Sequence, residues 1–143
     1  VAADRGAIWA ALTDPEVLPE LTPLLRRIET DGDLWRWEMS RIGVLGASIS
    51  PCFTERMTFR EPEHIAYTHE PPAGQHEHTA AEGWYELTEV DGGTHLRISL
   101  TLRVDLPLAR AVGPAVTRVM KAAMDRTGDR FAVNLHRHLG ISP

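Results

Sequence analysis

From Leu24 to about residue 105, apolar and polar residues alternate along most of the chain. A period of two is typical of β-strands that bury one face. In THLRISLTLRVDL, for example, one side carries leucine, isoleucine and valine, and the other carries arginine, serine and threonine. The alternation predicts six strands, at about 24–30, 33–42, 47–60, 63–70, 77–90 and 94–105.

Short sequences rich in turn-forming residues separate these strands, at 31–33 (DGD), 61–63 (EPE) and 91–93 (DGG). Asp-Gly and Gly-Gly supply the positive φ angles that tight hairpins need. Parallel neighbours would require crossover helices, so the short links predict an antiparallel meander. The longer link at 71–74, PPAG, is expected to form a loop over the mouth of a cavity.

Two short helices are predicted within residues 4–21, before the first strand. Asp4 can cap the first helix, since its side chain can accept a free N–H of the first turn. Asp14 followed by Pro15 predicts that the second helix begins there, because proline is favoured at the first helical position.

A long amphipathic helix is predicted from about Pro114 to about Leu139, where apolar residues recur at helical spacing. Gly128 weakens its interior by about 1 kcal/mol relative to alanine. We expect either a kink or a close approach to the sheet at this glycine.

Together these elements predict one α+β domain over residues 1–143, in which a curved antiparallel sheet wraps around the C-terminal helix. The face of the sheet turned towards the helix combines apolar surface with the polar tips of tyrosine and tryptophan. Such a face forms either an ordinary packed core or the wall of a ligand cavity. The candidate ligand-binding residues are Trp35, Trp37, Met39, Met57, Tyr67, Tyr85, Met120 and Met124.

Glu55 shares this predicted inner face with apolar neighbours in CFTERMTF. A carboxylate that faces an apolar interior is costly unless it is paired or hydrated, and its burial raises its pKa. General acid–base chemistry is therefore the enzymatic option that the sequence offers, and a structural role for each group is the alternative. The candidate catalytic residues are Glu55, His69 and Tyr85.

The stretch His76-Glu77-His78 places two imidazoles on the same side of a strand, as two metal ligands would be. A catalytic zinc usually takes three protein ligands and a water. The sequence offers these as a third ligand: His64, His69 and His95. However, the stretch follows a flexible loop, and Glu77 would face the opposite way. We therefore interpret it as solvated residues at a strand entrance, and we predict no metal site and no cofactor.

The composition argues against several other classes of protein. Net charge is −5 and the basic residues do not cluster, so no nucleic-acid partner is expected. No apolar run approaches the roughly 20 residues that span a bilayer. Cys52 is the single cysteine, which favours a reducing cytoplasm, and beside Pro51 we expect a buried, inert thiol. The sequence is compatible with a homodimer and with a monomer.

Three stretches carry a resemblance to a known family: the opening VAADRGAIWAALTDPEVLPEL, the strand pair EGWYELTEVDGGTHLRISLTL and the closing helix. Over its whole length the chain resembles the START-like, polyketide cyclase/dehydrase (SRPBCC) superfamily, whose helix-grip fold is also that of the birch-pollen allergen. The resemblance implies a first strand before helix one, to which only Val1 and Ala2 could belong.

The resemblance implies that a small hydrophobic molecule, lipid-like or polyketide-like, binds between sheet and helix. An alternative is a polyketide aromatase/cyclase or dehydratase that acts in the same cavity. A third is an interaction module similar to chaperone activators, for which an outer face with Arg97 and Arg103 is the only indication. The family has no universal catalytic motif that would assign roles to residues.

Overall fold

The structure, a computed structural model, describes residues 1–44, 47–105 and 113–142. Within these ranges, three helices and eight strands follow one another. They are α1 (Arg5–Leu12), α2 (Leu18–Leu21), β1 (Leu25–Asp31), β2 (Leu34–Met39), β3 (Ile42–Val44), β4 (Ala47–Ile49), β5 (Cys52–Arg60), β6 (His64–His69), β7 (Thr79–Val90), β8 (Gly93–Val104) and α3 (Gly113–His138).

Six strands form one antiparallel sheet in the order β1-β2-β5-β6-β7-β8. Each strand pairs with its neighbour along the chain, except that the small β3–β4 hairpin stands between β2 and β5 in the sequence. This is the predicted α+β architecture of a curved antiparallel sheet, a long C-terminal helix and two short N-terminal helices.

Two of the predicted strands are too long. Residues 33–42 and 47–60 were each expected to form a single strand, but their adjoining ends form the β3–β4 hairpin instead. Pro51 lies just before β5 and has no N–H with which to extend the ladder. Its carbonyl accepts the Met39 N–H at 2.8 Å, which marks the end of the pairing between β2 and β5.

The first N-terminal cap is confirmed, and the start of the second helix is wrong. Asp4 accepts the Gly6 N–H at 2.9 Å and caps α1. The Asp14 carboxylate accepts the Glu16 N–H at 2.8 Å. This bond stabilises a turn at Pro15 in place of a helix start. α2 therefore begins three residues beyond Pro15, at Leu18.

The core lies between the sheet and the helices. Phe131 and Leu135 of α3 join it, and Asn134 Nδ2 donates to the Leu21 carbonyl at 3.1 Å. Within the described ranges, α3 approaches α2 over more of its backbone than it approaches any strand. None of the helices described here has the length and apolar character that crossing a bilayer requires.

Gly128 lies in the exposed part of α3, inside a continuous helix. A Cβ placed on it would meet nothing within 4 Å, so the expected close approach to the sheet is wrong.

Val1 pairs with the edge of the sheet at β8. Its amino group donates to the Thr94 carbonyl at 2.9 Å, and the Thr94 N–H donates to the Val1 carbonyl at 2.8 Å. The Thr94 hydroxyl also donates to the Ala3 carbonyl at 2.9 Å. The residues before α1 thus lie where a further strand of this sheet would run.

Candidate ligand-binding site on the inner face of the sheet

The strand register fixes which side chains share the inner face, by which we mean the face turned towards the helices. Residues directly opposite each other on paired strands point to the same side. One such row is Trp35, Glu55 and His69, on β2, β5 and β6. Another row is Met57, Tyr67, Gly83 and Leu100, on β5, β6, β7 and β8.

The aromatic side chains on β2, β5 and β6 pack tightly against one another. Trp37 stacks on Phe53 with ring centroids 6.3 Å apart, and it lies 6.2 Å from Trp35 and 6.5 Å from Tyr67. Trp35, Trp37, Met57 and Tyr67 are all buried, with 2–8% of their surface exposed. We call this region the packed end; four of the candidate binding residues lie in it, buried within the core cluster.

The inner face is open at β8. Ile98 is 48% exposed and Leu100 is 43% exposed, although both share the face with buried residues. Ile98 lies opposite Tyr85, which in turn lies opposite the fully buried Ile65. We call this region the open end. It presents apolar surface that the described helices leave accessible.

The remaining four candidate binding residues differ in burial. Met39 and Tyr85 are partly buried and pack against the core. On α3, Met120 is buried but lies outside the main core cluster, and Met124 is half-buried. The helix is thus anchored through its C-terminal half.

Gly83 allows a side chain to reach across the sheet. The Tyr67 hydroxyl donates to the Ser99 carbonyl at 3.2 Å, passing the position where a Cβ of residue 83 would stand. Such a Cβ would lie 2.0 Å from the Ser99 oxygen and 2.8 Å from the Tyr67 oxygen. Burial raises the pKa of Tyr67, so its hydroxyl stays protonated as a donor.

Glu55 is fully buried, with 0% of its surface exposed. Its Oε1 accepts the Ala81 N–H at 3.0 Å. Its Oε2 has no hydrogen-bond partner among the residues that the structure describes. Burial raises the pKa of Glu55 to about 8, so the carboxyl is mainly protonated at neutral pH and can donate a hydrogen bond.

The end of the pairing between β6 and β7 explains why Glu55 bonds to β7. The pairing of β6 with β7 ends at Tyr67 and Gly83. Ala81 lies beyond that point, so its N–H finds no acceptor on β6. Glu55, one strand further away on β5, supplies that acceptor from its side chain.

Trp37 presents a second unused polar atom on the inner face. Its indole Nε1–H is buried and lacks a hydrogen-bond partner within the described part of the chain. A buried donor of this kind costs free energy unless a partner arrives. Both Trp37 and the protonated Glu55 could donate to an acceptor oxygen.

His69, the second catalytic candidate, lies opposite Glu55 in the register and is held by Glu77. The His69 Nε2 and Glu77 Oε1 atoms are 2.9 Å apart, and both side chains are largely buried. Glu77 also accepts the backbone N–H and the hydroxyl of Thr54, each at 2.8 Å. The third candidate, Tyr85, has a pKa that burial raises to about 12, so its hydroxyl stays protonated at neutral pH.

Sequence reasoning missed a residue that comes together with His76 and His78. It considered three other histidines as a third ligand, but the structure brings Asp105 beside the pair. The hairpin register could have found it: Val90 lies opposite Gly93, so continuing the same register places residue 78 opposite residue 105.

Cys52 is half-buried, so the expected burial is wrong. Phe53 faces inward, and its neighbour must therefore face the other side of the sheet. There the Arg36 Nε donates to the Cys52 sulfur at 3.0 Å.

On the outer face, arginines are paired with carboxylates. Arg97 contacts Glu86 and Arg103 contacts Glu82, each at 3.1 Å. Arg97 also lies over the Trp84 ring, 5.4 Å from its centroid. The positive charge that indicated an interaction surface is thus balanced locally.

Comparison with known proteins supports a family assignment. The family model described as polyketide cyclase / dehydrase and lipid transport matches residues 1–136. Among curated proteins, no significant match is found.

Solved structures share the fold. A conserved protein from Geobacillus kaustophilus superposes with a TM-score of 0.69 at 18% identity, covering 96% of this chain and 89% of that one. A START superfamily protein from Mycobacterium smegmatis gives 0.64 at 19% identity, with coverage of 98% and 92%. The di-domain ARO/CYC StfQ from the steffimycin biosynthetic pathway gives 0.64 at 12% identity, with coverage of 98% and 48%. At these identities the likeness concerns the fold alone.

Proposed function

The chain belongs to the polyketide cyclase / dehydrase and lipid transport family, and from this premise we propose that it binds a small hydrophobic molecule between the sheet and α3. The observation that carries the proposal is the open end of the inner face. Ile98 and Leu100 are nearly half exposed there, on the same face as the core. Exposed apolar surface that continues a core is typical of a binding site.

The polar atoms near the packed end support a ligand that also carries an acceptor. The Glu55 carboxyl and the Trp37 indole are buried, and each has an atom without a partner in the described residues. A ketone, ester or carboxyl oxygen would satisfy such donors, whereas a pure hydrocarbon would leave them unpaired. We therefore expect a lipid-like or polyketide-like molecule with at least one carbonyl oxygen.

A fluorescence titration tests the binding proposal. The probe is Nile red, and the variant is Ile98→Ser, which removes apolar surface from the open end. We expect roughly tenfold weaker binding, because burying a side chain of this size contributes about 1.5–3 kcal/mol. The matched control is Val90→Ser, since Val90 is 49% exposed but lies at the β7–β8 turn. Equal affinity of Ile98→Ser and Val90→Ser for Nile red would show that the open end is not part of the binding site.

Glu55 favours a second candidate function, a cyclase or dehydratase acting in the same place. Because burial raises its pKa to about 8, it can donate a proton to a ketone oxygen at neutral pH. His69, oriented by Glu77, lies opposite it and is the candidate for accepting a proton from the adjacent carbon. StfQ, a di-domain ARO/CYC from the steffimycin biosynthetic pathway, shares this fold.

The variant Glu55→Gln separates carrier from enzyme. With a poly-β-ketone thioester as substrate, turnover should fall by at least a hundredfold in Glu55→Gln if the carboxyl is the acid, since general acid–base catalysis typically contributes 10²–10⁴-fold. Nile red affinity should stay within about twofold. If the wild-type chain converts no substrate while it binds Nile red, the carrier function stands and the enzyme function fails.

A further inference from the structure

His76, His78 and Asp105 form a cluster of metal-ligating groups on the surface. Each residue offers a ligand atom within 4.8 Å of the atoms offered by the other two. His76 Nε2 lies 3.4 Å from Asp105 Oδ2. Around a tetrahedral zinc with bonds of about 2.0–2.1 Å, neighbouring ligand atoms lie about 3.3 Å apart. One edge of the cluster thus already has the spacing that the ion would need.

The backbone holds two members of this cluster in register. The pairing of β7 with β8 ends at Thr79 and Val104, so His78 and Asp105 occupy the next opposed position. The Asp105 N–H donates to the His78 carbonyl at 2.6 Å and extends the ladder by one bond. His76 lies two residues before His78, and their rings meet at 85° with centroids 4.7 Å apart.

The second ring nitrogen of His78 gives independent support. His78 Nδ1 lies 3.1 Å from the Asp105 carbonyl oxygen. A carbonyl only accepts, so Nδ1 carries the hydrogen in this bond and the lone pair of the neutral ring is on Nε2. Metal-ligating histidines are oriented in this way, since their other nitrogen donates to a carbonyl or carboxylate.

Glu77 anchors the segment that carries both histidines. It points into the sheet and binds Thr54 and His69, while His76 and His78 remain exposed. The opposite orientation of Glu77, which on sequence grounds argued against a metal, therefore holds the two histidines in place. Asp105 supplies the third donor.

We propose that His76, His78 and Asp105 bind one divalent transition-metal ion, such as Zn²⁺, with a coordination position open to water. Two imidazoles and one carboxylate suit zinc, copper and nickel, whereas calcium and magnesium require more oxygen ligands. The histidines border a surface depression of about 380 Å³, which leaves room for solvent or an exogenous ligand on the ion. This site is separate from the inner face, so it does not depend on the proposed function.

Isothermal titration calorimetry with zinc chloride tests the proposal on the chain without an affinity tag. We expect one zinc per chain and no detectable heat with magnesium. His78→Asn and Asp105→Asn should each weaken zinc binding at least tenfold. The matched controls His95→Asn and His136→Asn change exposed or half-exposed histidines outside the cluster and should leave the affinity unchanged.

A spectroscopic measurement makes the result independent of the heat of binding. Cobalt added to the wild-type chain should give the strong visible absorption of tetrahedral Co²⁺, and the band should be lost in His78→Asn. Circular dichroism of each variant establishes that it is folded. Absence of zinc binding in the folded wild type would overturn the proposal and leave His76 and Asp105 as a plain ion pair. Binding that survives both cluster variants would overturn it as well.

Discussion

The packed end and the open end of the inner face are both apolar, yet only the packed end is closed. At the packed end, Trp37 meets rings from its own strand and from β5 and β6. At the open end, Ile98 and Leu100 follow the same alternation but stay nearly half exposed. The difference teaches that strand periodicity assigns a side chain to a face. Whether that face is filled depends on the groups that stand across from it.

The largest effect on stability should come from truncating a side chain at the packed end. We expect Trp37→Ala to lower the free energy of unfolding by about 3–5 kcal/mol, because it leaves a cavity between stacked rings. Ile98→Ala, at the open end, should cost only about 1 kcal/mol, since half of its surface already contacts water. Urea denaturation monitored by circular dichroism measures both. Similar losses in the two variants would show that the ends do not differ in packing.

The next effect concerns Glu55, the titratable carboxyl at the packed end. Its folded-state pKa is raised to about 8 by burial, against an ordinary value of 4.5. Between these values the folded chain keeps a proton that the unfolded chain releases, so stability falls as pH rises, by at most about 1.4 kcal/mol per pH unit. The stability that the protonated Glu55 contributes is fully present below pH 4.5 and has been lost above pH 8. Urea midpoints at pH 5, 7 and 9 should show this loss in the wild type but not in Glu55→Gln.

Comparing the two proteins at each pH cancels the titration of the histidines. Glu16→Gln is the matched control, because Glu16 is exposed on the turn before α2 and its variant should follow the wild type. A parallel pH dependence in wild type and Glu55→Gln would mean that Glu55 is ionised in the folded chain. The packed end would then contain a charged group, and the proposed donor to a ligand carbonyl would be lost.

Much of the fold could be predicted from the sequence, because local rules determine it. The alternation and the turn residues identified the strands of the main sheet, and the apolar stripe located α3 within one residue at each end. The errors fall where tertiary structure overrides the local pattern. The β3–β4 hairpin interrupts what read as continuous strands, and the Asp14 side chain stabilises a turn in place of a helix start.

The site was less accessible to sequence reasoning. Because side chains alternate along a strand, the sequence could assign them to faces of the sheet. Trp35 and Glu55 could thus be placed on the same side. Burial could not be predicted, because it depends on how α3 and the sheet approach each other. The bond between Glu55 and Ala81 depends on where the pairing of β6 with β7 ends, and the proximity of Asp105 to His78 depends on an exact register.

Gly83 constrains any attempt to redesign what this protein accommodates. Every other amino acid carries a β-carbon, and at this position it would collide with the Ser99 oxygen and the Tyr67 hydroxyl. A randomised library should therefore hold codon 83 fixed and diversify positions 98 and 100, where substitutions meet solvent. A selection for ligand binding would then vary the open end without discarding most clones as misfolded.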